Sequence, residues 1–215
     1  MIKKIIFLFL IIFTLLCCSK EIIIEPLVED ENIENLSDVF TQVYNTSNSG
    51  LLDNFIYDIE FVGNVTKIAT EKGYTTFDGY IWNTLNSSNS LLPSDEIYCI
   101  KTQGSTTWMG SDNGLIKYDG INITIYNMSN SILPLNKIRN LEIDNSNNLW
   151  VGTYTGGGLT KFDGTNWTVY TPGNSNLPNN SIASITKDNL GNIWIATANG
   201  ISMFDGSNFT NYKTS

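Results

Sequence analysis

Apolar and polar positions alternate in short runs along most of the chain, and the same runs return at a nearly fixed interval. The clearest copy lies in residues 148–171, where a Trp-containing run, an aliphatic run ending in Phe-Asp-Gly and a second Trp-containing run follow one another. Alternation over four to six residues indicates half-buried β-strands, and Asp-Gly and Gly-Asn pairs favour tight turns between antiparallel strands. No apolar stripe with helical spacing follows residue 38, so the pattern predicts an all-β fold.

The interval between copies indicates the architecture. An aromatic residue followed by Asp-Gly recurs with its aspartates at positions 78, 119, 163 and 205, so the copies are 41, 44 and 42 residues apart. A period in the low forties with four short strands per copy is typical of β-propeller blades. In the third copy, strands a to d are predicted at residues 138–143, 149–153, 159–162 and 167–170. We therefore predict a β-propeller-like array of four four-stranded blades.

The number of strands does not decide whether the blades close into a ring. Residues 40–45 and the Asn-Ser loop after them resemble a strand d, so the chain has five d-like strands but four a–b–c sets. Three arrangements fit this count: a four-bladed ring with a spare strand, an open arc, and a truncated piece of a longer propeller. An open arc would expose strand edges and apolar blade faces, and homo-oligomers of the chain could then cover them.

The first residues differ in composition from the repeats. Two lysines precede an apolar run over residues 5–16, which is shorter than the ~20 residues that span a bilayer but suits a signal peptide. The run leads into a Cys-Cys-Ser sequence that resembles a bacterial lipobox, with Leu15 three residues before Cys18. We predict a lipoprotein signal peptide at residues 1–17 and lipidation of Cys18. An ordinary secretory signal is the alternative.

Residues 18–38 are rich in Asp and Glu and contain one proline, which is typical of a solvated linker. The repeat region then covers residues 39–215. Its predicted copies are residues 39–85, 86–127, 128–171 and 172–215. The lipid would anchor the mature chain in the cell envelope, and we expect the outer membrane, on its periplasmic or outer surface.

The repeat as a whole resembles the two-component regulator propeller repeat. The resemblance rests on Asn-Ser-x-Leu-Pro, Ile-x-x-Ile, Gly-Asn-Ile-Trp-x-x-Thr and Phe-Asp-Gly, which succeed one another over roughly residues 43–215. Members of this family often form the extracytoplasmic sensor of hybrid two-component systems that respond to polysaccharide fragments, and others stand alone on the cell surface. The resemblance therefore implies a propeller fold and a role in binding ligands, although the sequence shows no kinase or DNA-binding region.

The charge of the chain argues against nucleic acid as a partner. The net charge is −9, with 21 acidic and 12 basic residues, and loss of the two leader lysines would make it −11. No cluster of Lys or Arg reverses this charge locally, so phosphate backbones would be repelled.

Catalytic chemistry is poorly supported by the composition, so we do not expect an enzyme or a cofactor. The chain has no histidine, the commonest general base, and Cys99 therefore lacks the usual activating partner. We interpret Cys99 as a small packed strand residue. Propeller lyases that inactivate streptogramins look similar, but they depend on histidine. The recurring aspartates lie at turn positions, and no dense carboxylate loop for calcium is present around Asp112, Asp144 or Asp188.

Five tryptophans recur with the repeat: Trp108, Trp150 and Trp194 at one position, and Trp82 and Trp167 at another. Residues that recur with the blade are best interpreted as packing between blades.

Loops that vary between repeats predict where a ligand would bind. With strands alternating in direction, the d–a and b–c loops share one face of the propeller, and the b–c loops differ in sequence. The loop at Tyr154 is longer and rich in glycine, which suits stacking on a sugar ring, although an insertion without a ligand is the alternative. The candidate residues are Glu71, Lys72, Asp112, Asn113, Tyr154, Thr155 and Asn199 in these loops, with Tyr98 and Arg139 near the start of strand a.

These observations lead to one main hypothesis and two alternatives. The main hypothesis is a non-enzymatic cell-envelope lipoprotein whose propeller binds a carbohydrate or a protein partner. The alternatives are a structural or assembly module of a surface complex, and a truncated fragment of a larger sensor propeller.

Overall fold

The computed structural model of the protein describes residues 22–24 and 42–212, which form eighteen β-strands. A two-stranded pair consists of β1 (Ile22–Ile24) and β2 (Gln42–Tyr44). Blade 1 consists of β3 (Ile56–Val62), β4 (Val65–Thr70), β5 (Gly73–Phe77) and β6 (Trp82–Leu85). Blade 2 consists of β7 (Ile97–Gln103), β8 (Thr106–Ser111), β9 (Gly114–Tyr118) and β10 (Ile123–Tyr126). Blade 3 consists of β11 (Ile138–Ile143), β12 (Leu149–Thr153), β13 (Leu159–Phe162) and β14 (Trp167–Tyr170). Blade 4 consists of β15 (Ile182–Lys187), β16 (Ile193–Thr197), β17 (Gly200–Phe204) and β18 (Phe209–Tyr212).

The predicted all-β array of four four-stranded blades is confirmed. Each blade is an antiparallel sheet in which the strands lie in the order a, b, c, d. In blade 3 the four strands begin and end at the residues that the alternation of apolar and polar positions predicts. The regular strand-and-turn pattern was therefore sufficient to define the blade.

The blades follow one another along an open arc. Strand a lies innermost, since β3 packs on β7, β7 on β11 and β11 on β15. Within the described part of the chain the four sheets are not closed into a ring.

The strand β2 takes the place of an outer strand in front of blade 1. The ring of Tyr44 packs edge-on against Phe77 at 5.4 Å and Trp82 at 5.3 Å between centroids. In the same way, Tyr126 of blade 2 packs against the aromatic pair of blade 3. The fifth d-like strand in the sequence thus packs on blade 1, and among the described residues it pairs with β1.

One part of the predicted linker forms a strand. Residues Ile22–Ile24 pair with Gln42–Tyr44 in antiparallel register. The three consecutive isoleucines explain this difference from a solvated segment, because β-branched residues favour strands and β2 offers a free edge. The predicted signal peptide and Cys18 lie outside the described residues.

The apolar core lies between the blades. Trp108 and Trp150 are 2% and 1% exposed and belong to the clusters that join blade 2 to blade 3 and blade 3 to blade 4. Their predicted role between blades is confirmed. Trp194, at the same position of blade 4, is only partly buried. Cys99 is buried and unpaired with another cysteine, and burial raises the pKa of its thiol, as expected for a packed strand residue.

The Asp-Gly turns are stabilised locally. In blade 2 the carboxylate of Asp119 accepts backbone hydrogen bonds from Asn122 at 2.7 Å and Ile121 at 2.9 Å, and Gly120 takes the positive φ of 97°. The Asn122 hydrogen bonds and that of Ile121 lower the pKa of Asp119 to about 2. The recurring aspartates therefore serve the turns, as their positions predict.

The Asn-Ser-x-Leu-Pro loops are also structural. In the first of them, the Asn89 amide accepts from Asn86 N at 2.9 Å and donates to Thr84 O at 3.1 Å, while Ser90 Oγ donates to Asn86 O. The leucine of this loop, Leu92, is buried against the blade core. Equivalent hydrogen bonds recur in the other copies, so these loops fix how the chain enters each strand a.

Burial of Tyr74 predicts a loss of stability in alkali. Tyr74 is 2% exposed between blades 1 and 2, and burial raises its pKa to about 12 from the ordinary 10. The neutral, buried phenol of Tyr74 makes its full contribution to the free energy of unfolding below pH 10. This contribution falls as the pH rises towards 12, because the phenol loses its proton at a lower pH in the unfolded chain than in the folded protein. Between pH 8 and pH 11.5 this effect should lower the free energy of unfolding by about 2 kcal/mol, and the Tyr74→Phe variant should lack that decrease. Urea unfolding at the two pH values measures it. An equal pH dependence in the variant would contradict the assignment.

Candidate functional site

The b–c loops lie beside the starts of the strands a, on what we call the loop face. The backbone N–H of Glu71 donates to Phe55 O at 3.2 Å, and that of Gly158 to Asn180 O at 2.8 Å. In blade 4 Ala198 N donates to Ser181 O at 3.1 Å. The variable loops of blades 1, 3 and 4 are therefore attached to the residues that lead into an inner strand.

Every inner strand has a β-bulge at its second residue. The pairing with strand b shifts between residues 56 and 58, and the same shift recurs in the other three blades. A bulge leaves one residue without a partner across the ladder and redirects its side chain. The four bulged residues, which we call the bulge row, are Tyr57, Tyr98, Arg139 and Ala183.

The first three members of the bulge row pack on one another. The rings of Tyr57 and Tyr98 meet edge to face at 5.0 Å, and the guanidinium of Arg139 lies 3.7 Å from the centre of the Tyr98 ring. Lys137 places its ammonium 5.2 Å from the same ring, and Phe55 packs edge-on against Tyr57 at 4.9 Å. The row is thus a cation–π and aromatic stack that crosses three blades.

Exposure divides this stack into a buried and an accessible part. Tyr98 is only 5% exposed, because its neighbours cover both the ring and the hydroxyl, which donates to Glu96 Oε2. Burial, followed by the Glu96 carboxylate, raises the pKa of Tyr98. Phe55, at the edge of the stack, is 46% exposed. Tyr98 therefore lies beneath the surface, where Phe55 is exposed and Arg139 is partly exposed.

Three side chains of the loop face contain buried polar atoms that have no hydrogen-bond partner among the described residues. These atoms are Nε of Arg139, Oδ1 of Asn180 and Oδ1 of Asp112, whose charge also acts on Tyr98. Buried polar atoms in native proteins are nearly always paired. A ligand with its own donors and acceptors could satisfy them.

Other sequence candidates have structural partners. Lys72 Nζ lies 2.8 Å from Asp53 Oδ2, and Glu71, in the same loop, acts electrostatically on Tyr57. The amides of Asn113 and Asn199 donate to the carbonyls of Pro93 and Pro178, which ties each b–c loop to a leucine-proline loop.

Tyr154 and Thr155 lie in the long loop of blade 3, and Tyr154 is 55% exposed. The Tyr154 carbonyl accepts a hydrogen bond from Ser181, and Gly156 and Gly158 take positive φ values of 102° and 89°. These contacts fix the loop at the junction of blades 3 and 4, with the tyrosine ring available to solvent.

Two of the carboxylates considered for calcium have a different role. Asp144 Oδ2 accepts from Trp150 Nε1 at 2.9 Å, and Asp188 Oδ2 accepts from Trp194 Nε1 at 2.8 Å. Among residues 22–24 and 42–212 no group of three or more Cys, Asp or Glu side chains is arranged to hold a metal ion.

Sequence reasoning missed Tyr57, which the structure places beside Tyr98 and Arg139. The signal was present, because Tyr57 holds the same position in the first repeat as Tyr98 in the second. The first repeat is the least regular copy, and the bulge that redirects these residues depends on the hydrogen-bond register rather than on a residue type.

Comparison with known proteins supports the repeat assignment. Residues 132–155 and 176–199 match the two component regulator propeller family, so the chain contains repeats of this family. No curated protein matched the chain. None of the described segments forms a helix that is long and apolar enough to cross a bilayer.

Several solved structures share the fold. The extracellular domain of the putative hybrid two component system BT3049 from B. thetaiotaomicron matches 80% of this chain and 25% of its own, with 20% identity and a TM-score of 0.65. PorZ, a surface component of the type-IX secretion system of Porphyromonas gingivalis, matches 79% and 28%, with 14% identity and a TM-score of 0.62. A catalytically inactive virginiamycin B lyase from Staphylococcus aureus matches 89% and 63%, with 14% identity and a TM-score of 0.65.

The chain thus spans about a quarter of the length of the sensor domain and of PorZ. At these identities the likeness shows the propeller fold alone.

Proposed function

We propose that this protein is a non-enzymatic binding module of the cell envelope, and that its loop face binds a carbohydrate or a protein partner. The observation that carries the proposal is the bulge row, which brings Tyr57, Tyr98 and Arg139 together beside the variable loops. A recurring bulge at one position of a constant frame allows side chains to vary without disturbing the sheets.

The chemistry of the surface favours a glycan as the first ligand to test. Exposed aromatic rings stack on the apolar faces of sugars, and Phe55 and Tyr154 supply such rings. Arg139 and Asp112 supply a buried donor and a buried acceptor that hydroxyl or carboxylate groups of a sugar could satisfy. The extracellular location of the similar sensor domain is in keeping with a ligand met outside the cytoplasm.

Catalysis is not part of the proposal, although some structures with this fold are lyases. The chain has no histidine, and the carboxylates at its turns and beneath its tryptophans are occupied by local hydrogen bonds. Lipidation of Cys18 and location in the outer membrane complete the proposal and rest on the leader sequence.

Ligand binding is testable by thermal unfolding of the purified protein with a panel of oligosaccharides at about 10 mM. A sugar with a dissociation constant near 1 mM adds about 1.4 kcal/mol to the free energy of unfolding, which raises the midpoint by about 3–6 °C. We expect Arg139→Ala to weaken binding about tenfold, and Tyr154→Ala to weaken it as well.

Tyr80→Ala is the matched control, because Tyr80 is 92% exposed and lies in a c–d turn at the opposite end of blade 1. Binding that survives both loop-face substitutions would contradict the site. A cooperative transition that no sugar shifts would favour the protein partner. The similarity to PorZ, which is described as a surface component of a secretion system, gives the assembly role as the second candidate.

A further inference from the structure

Charged side chains on the loop face are segregated by blade. The inner rim of this face consists, in each blade, of the residue directly before strand a, the bulged residue and the b–c loop. Blades 1 and 2 contribute three carboxylates and one lysine to this rim, which are Glu71, Glu96, Asp112 and Lys72. Blade 3 contributes Lys137 and Arg139 and no carboxylate, and blade 4 contributes no charged residue. The rim thus gathers two cations at blade 3, although the chain as a whole is acidic.

The two cations of blade 3 form no ion pair with any described carboxylate. Lys72 of blade 1, by contrast, lies 2.8 Å from Asp53 Oδ2. Lys137 and Arg139 both lie over the ring of Tyr98 instead, at 5.2 Å and 3.7 Å from its centre. Two positive charges over one ring repel each other. An anion bound by both would remove this repulsion.

The two carboxylates of blade 2 do not supply this anion. Glu96 Oε2 accepts the hydroxyl hydrogen of Tyr98. Asp112 has a buried oxygen, Oδ1, that accepts from no described donor. The rim therefore lacks two partners, an anion for the cations of blade 3 and a neutral hydrogen-bond donor for Asp112.

One of the unpaired polar atoms of the loop face has a cause within the fold. In the other three copies an Asn or Asp two residues before strand a accepts a backbone N–H at 2.7–2.9 Å, and these acceptors are Asn54, Asp95 and Asn136. Asn180 holds this position before β15, but the residue eight positions earlier, which supplies the N–H in the other copies, is Pro172. Proline has no N–H, so Oδ1 of Asn180 is left without its donor. Nε of Arg139 and Oδ1 of Asp112 have no such explanation.

Small side chains follow the cations in blade 4. Arg139 reaches back from blade 3 to the ring of Tyr98, whereas the next member of the bulge row, Ala183, has only a methyl group and is exposed. Arg139 itself is partly exposed. Ser181 Oγ donates to the carbonyl of Tyr154, whose side chain is 55% exposed. No large side chain of the bulge row therefore covers Arg139 from blade 4.

We propose that the ligand is an acidic oligosaccharide, and that Arg139 and Lys137 bind the carboxylate of a uronic acid residue. This inference rests on the binding role proposed above for the loop face. A guanidinium binds a carboxylate through two parallel N–H groups, and an ammonium adds a point charge. The hydroxyl groups of a uronic acid supply the donor that Asp112 lacks, which a simple inorganic anion such as chloride does not. A neutral sugar would leave the two positive charges uncompensated.

Isothermal titration calorimetry of the purified full chain tests the charge of the ligand. The probes are the trisaccharides of galacturonate, mannuronate and glucuronate, each compared with its methyl ester, which keeps the rings and hydroxyl groups but loses the charge. We expect at least one acid to bind, about tenfold or more tightly than its ester. Its affinity should fall when sodium chloride is raised from about 50 to about 300 mM, because salt screens partly exposed charges.

Substitutions at the two cations locate the carboxylate. Lys137→Gln and Arg139→Gln should each reduce the preference for the acid over its ester about tenfold, and Arg139→Lys, which keeps the charge but loses the planar fork, should restore only part of it. If Arg139→Gln changes the unfolding midpoint, Lys137→Gln carries the test, because Arg139 then still covers Tyr98. Lys187→Gln is the matched control, since it removes the same charge from the last residue of β15, at the opposite end of the strand from the rim.

Equal binding of an acid and its ester would overturn this inference and leave the proposed sugar binding intact. A preference for the acid that survives in both Lys137→Gln and Arg139→Gln would also overturn it, because the carboxylate would then bind elsewhere. A panel in which neither acids nor esters bind would overturn both this inference and the glycan ligand proposed for the loop face.

Discussion

Replacing Trp150 by alanine is expected to lower the free energy of unfolding by about 4 kcal/mol. The side chain is 1% exposed, stacks on Tyr170, packs 5.2 Å from the Phe204 ring and donates to Asp144. Its removal leaves a cavity between two blades whose backbones are held by their own sheets, and Trp-to-Ala changes in such cores cost about 3–5 kcal/mol. The measurement is urea unfolding followed by circular dichroism.

Trp194→Ala is the matched control for this prediction. Trp194 has the same position in its blade, the same hydrogen bond to an aspartate and the same stacking on a tyrosine. It differs in having no following blade over it within the described chain. We expect a loss of about 1–2 kcal/mol in dilute protein, and equal losses for the two variants would contradict burial between blades as the cause.

Gly110→Ala is expected to cost about 3 kcal/mol. A methyl group at this position would lie 2.5 Å from Cys99 Sγ and 2.8 Å from the backbone oxygen of Ile138 in the next blade. The inner strands of blades 2 and 3 would have to move apart, and overpacking of this kind usually costs 1–3 kcal/mol or somewhat more. Urea unfolding at constant pH measures the effect.

The control is the same position in blade 4, where the natural residue is Ala196 and is partly exposed. Ala196→Gly should cost less than about 1 kcal/mol, the usual backbone effect of glycine in a strand. Ala69 holds this position in blade 1 and is fully buried, so blades 1 and 2 accommodate a methyl group that blades 2 and 3 exclude. An unchanged stability of Gly110→Ala would mean that this spacing adjusts freely.

The sequence was sufficient to predict the blades because each local signal agrees with the others. In blade 3, alternation defines the four strands, and the turn residues between them have the backbone conformations they favour. The buried positions of Trp108 and Trp150 followed from recurrence alone, since a residue repeated in every blade faces the same neighbour each time.

The candidate binding surface was predicted only in part, for a physical reason. Tyr57, Tyr98, Arg139 and Ala183 share a position but no chemistry, and the bulge that joins them is a property of strand pairing. The exposure of a side chain also depends on tertiary packing, which the sequence of one repeat does not determine. Tyr98 was predicted as a ligand contact, and its ring is instead covered by Arg139. The side of blade 4 that contains Trp194 and Ile201 is open because no further blade of the described chain packs against it.

The open arc has a consequence for how the protein fluctuates. Each blade contacts only its neighbours, so blade 4 can open at the expense of one interface, whereas blade 3 must break two. Among the described residues, local opening is therefore expected to involve β18 and its neighbours before the strands of blade 3. Tyr57, Tyr98 and Arg139 belong to blades 1 to 3, so the bulge row stays assembled while the last sheet frays.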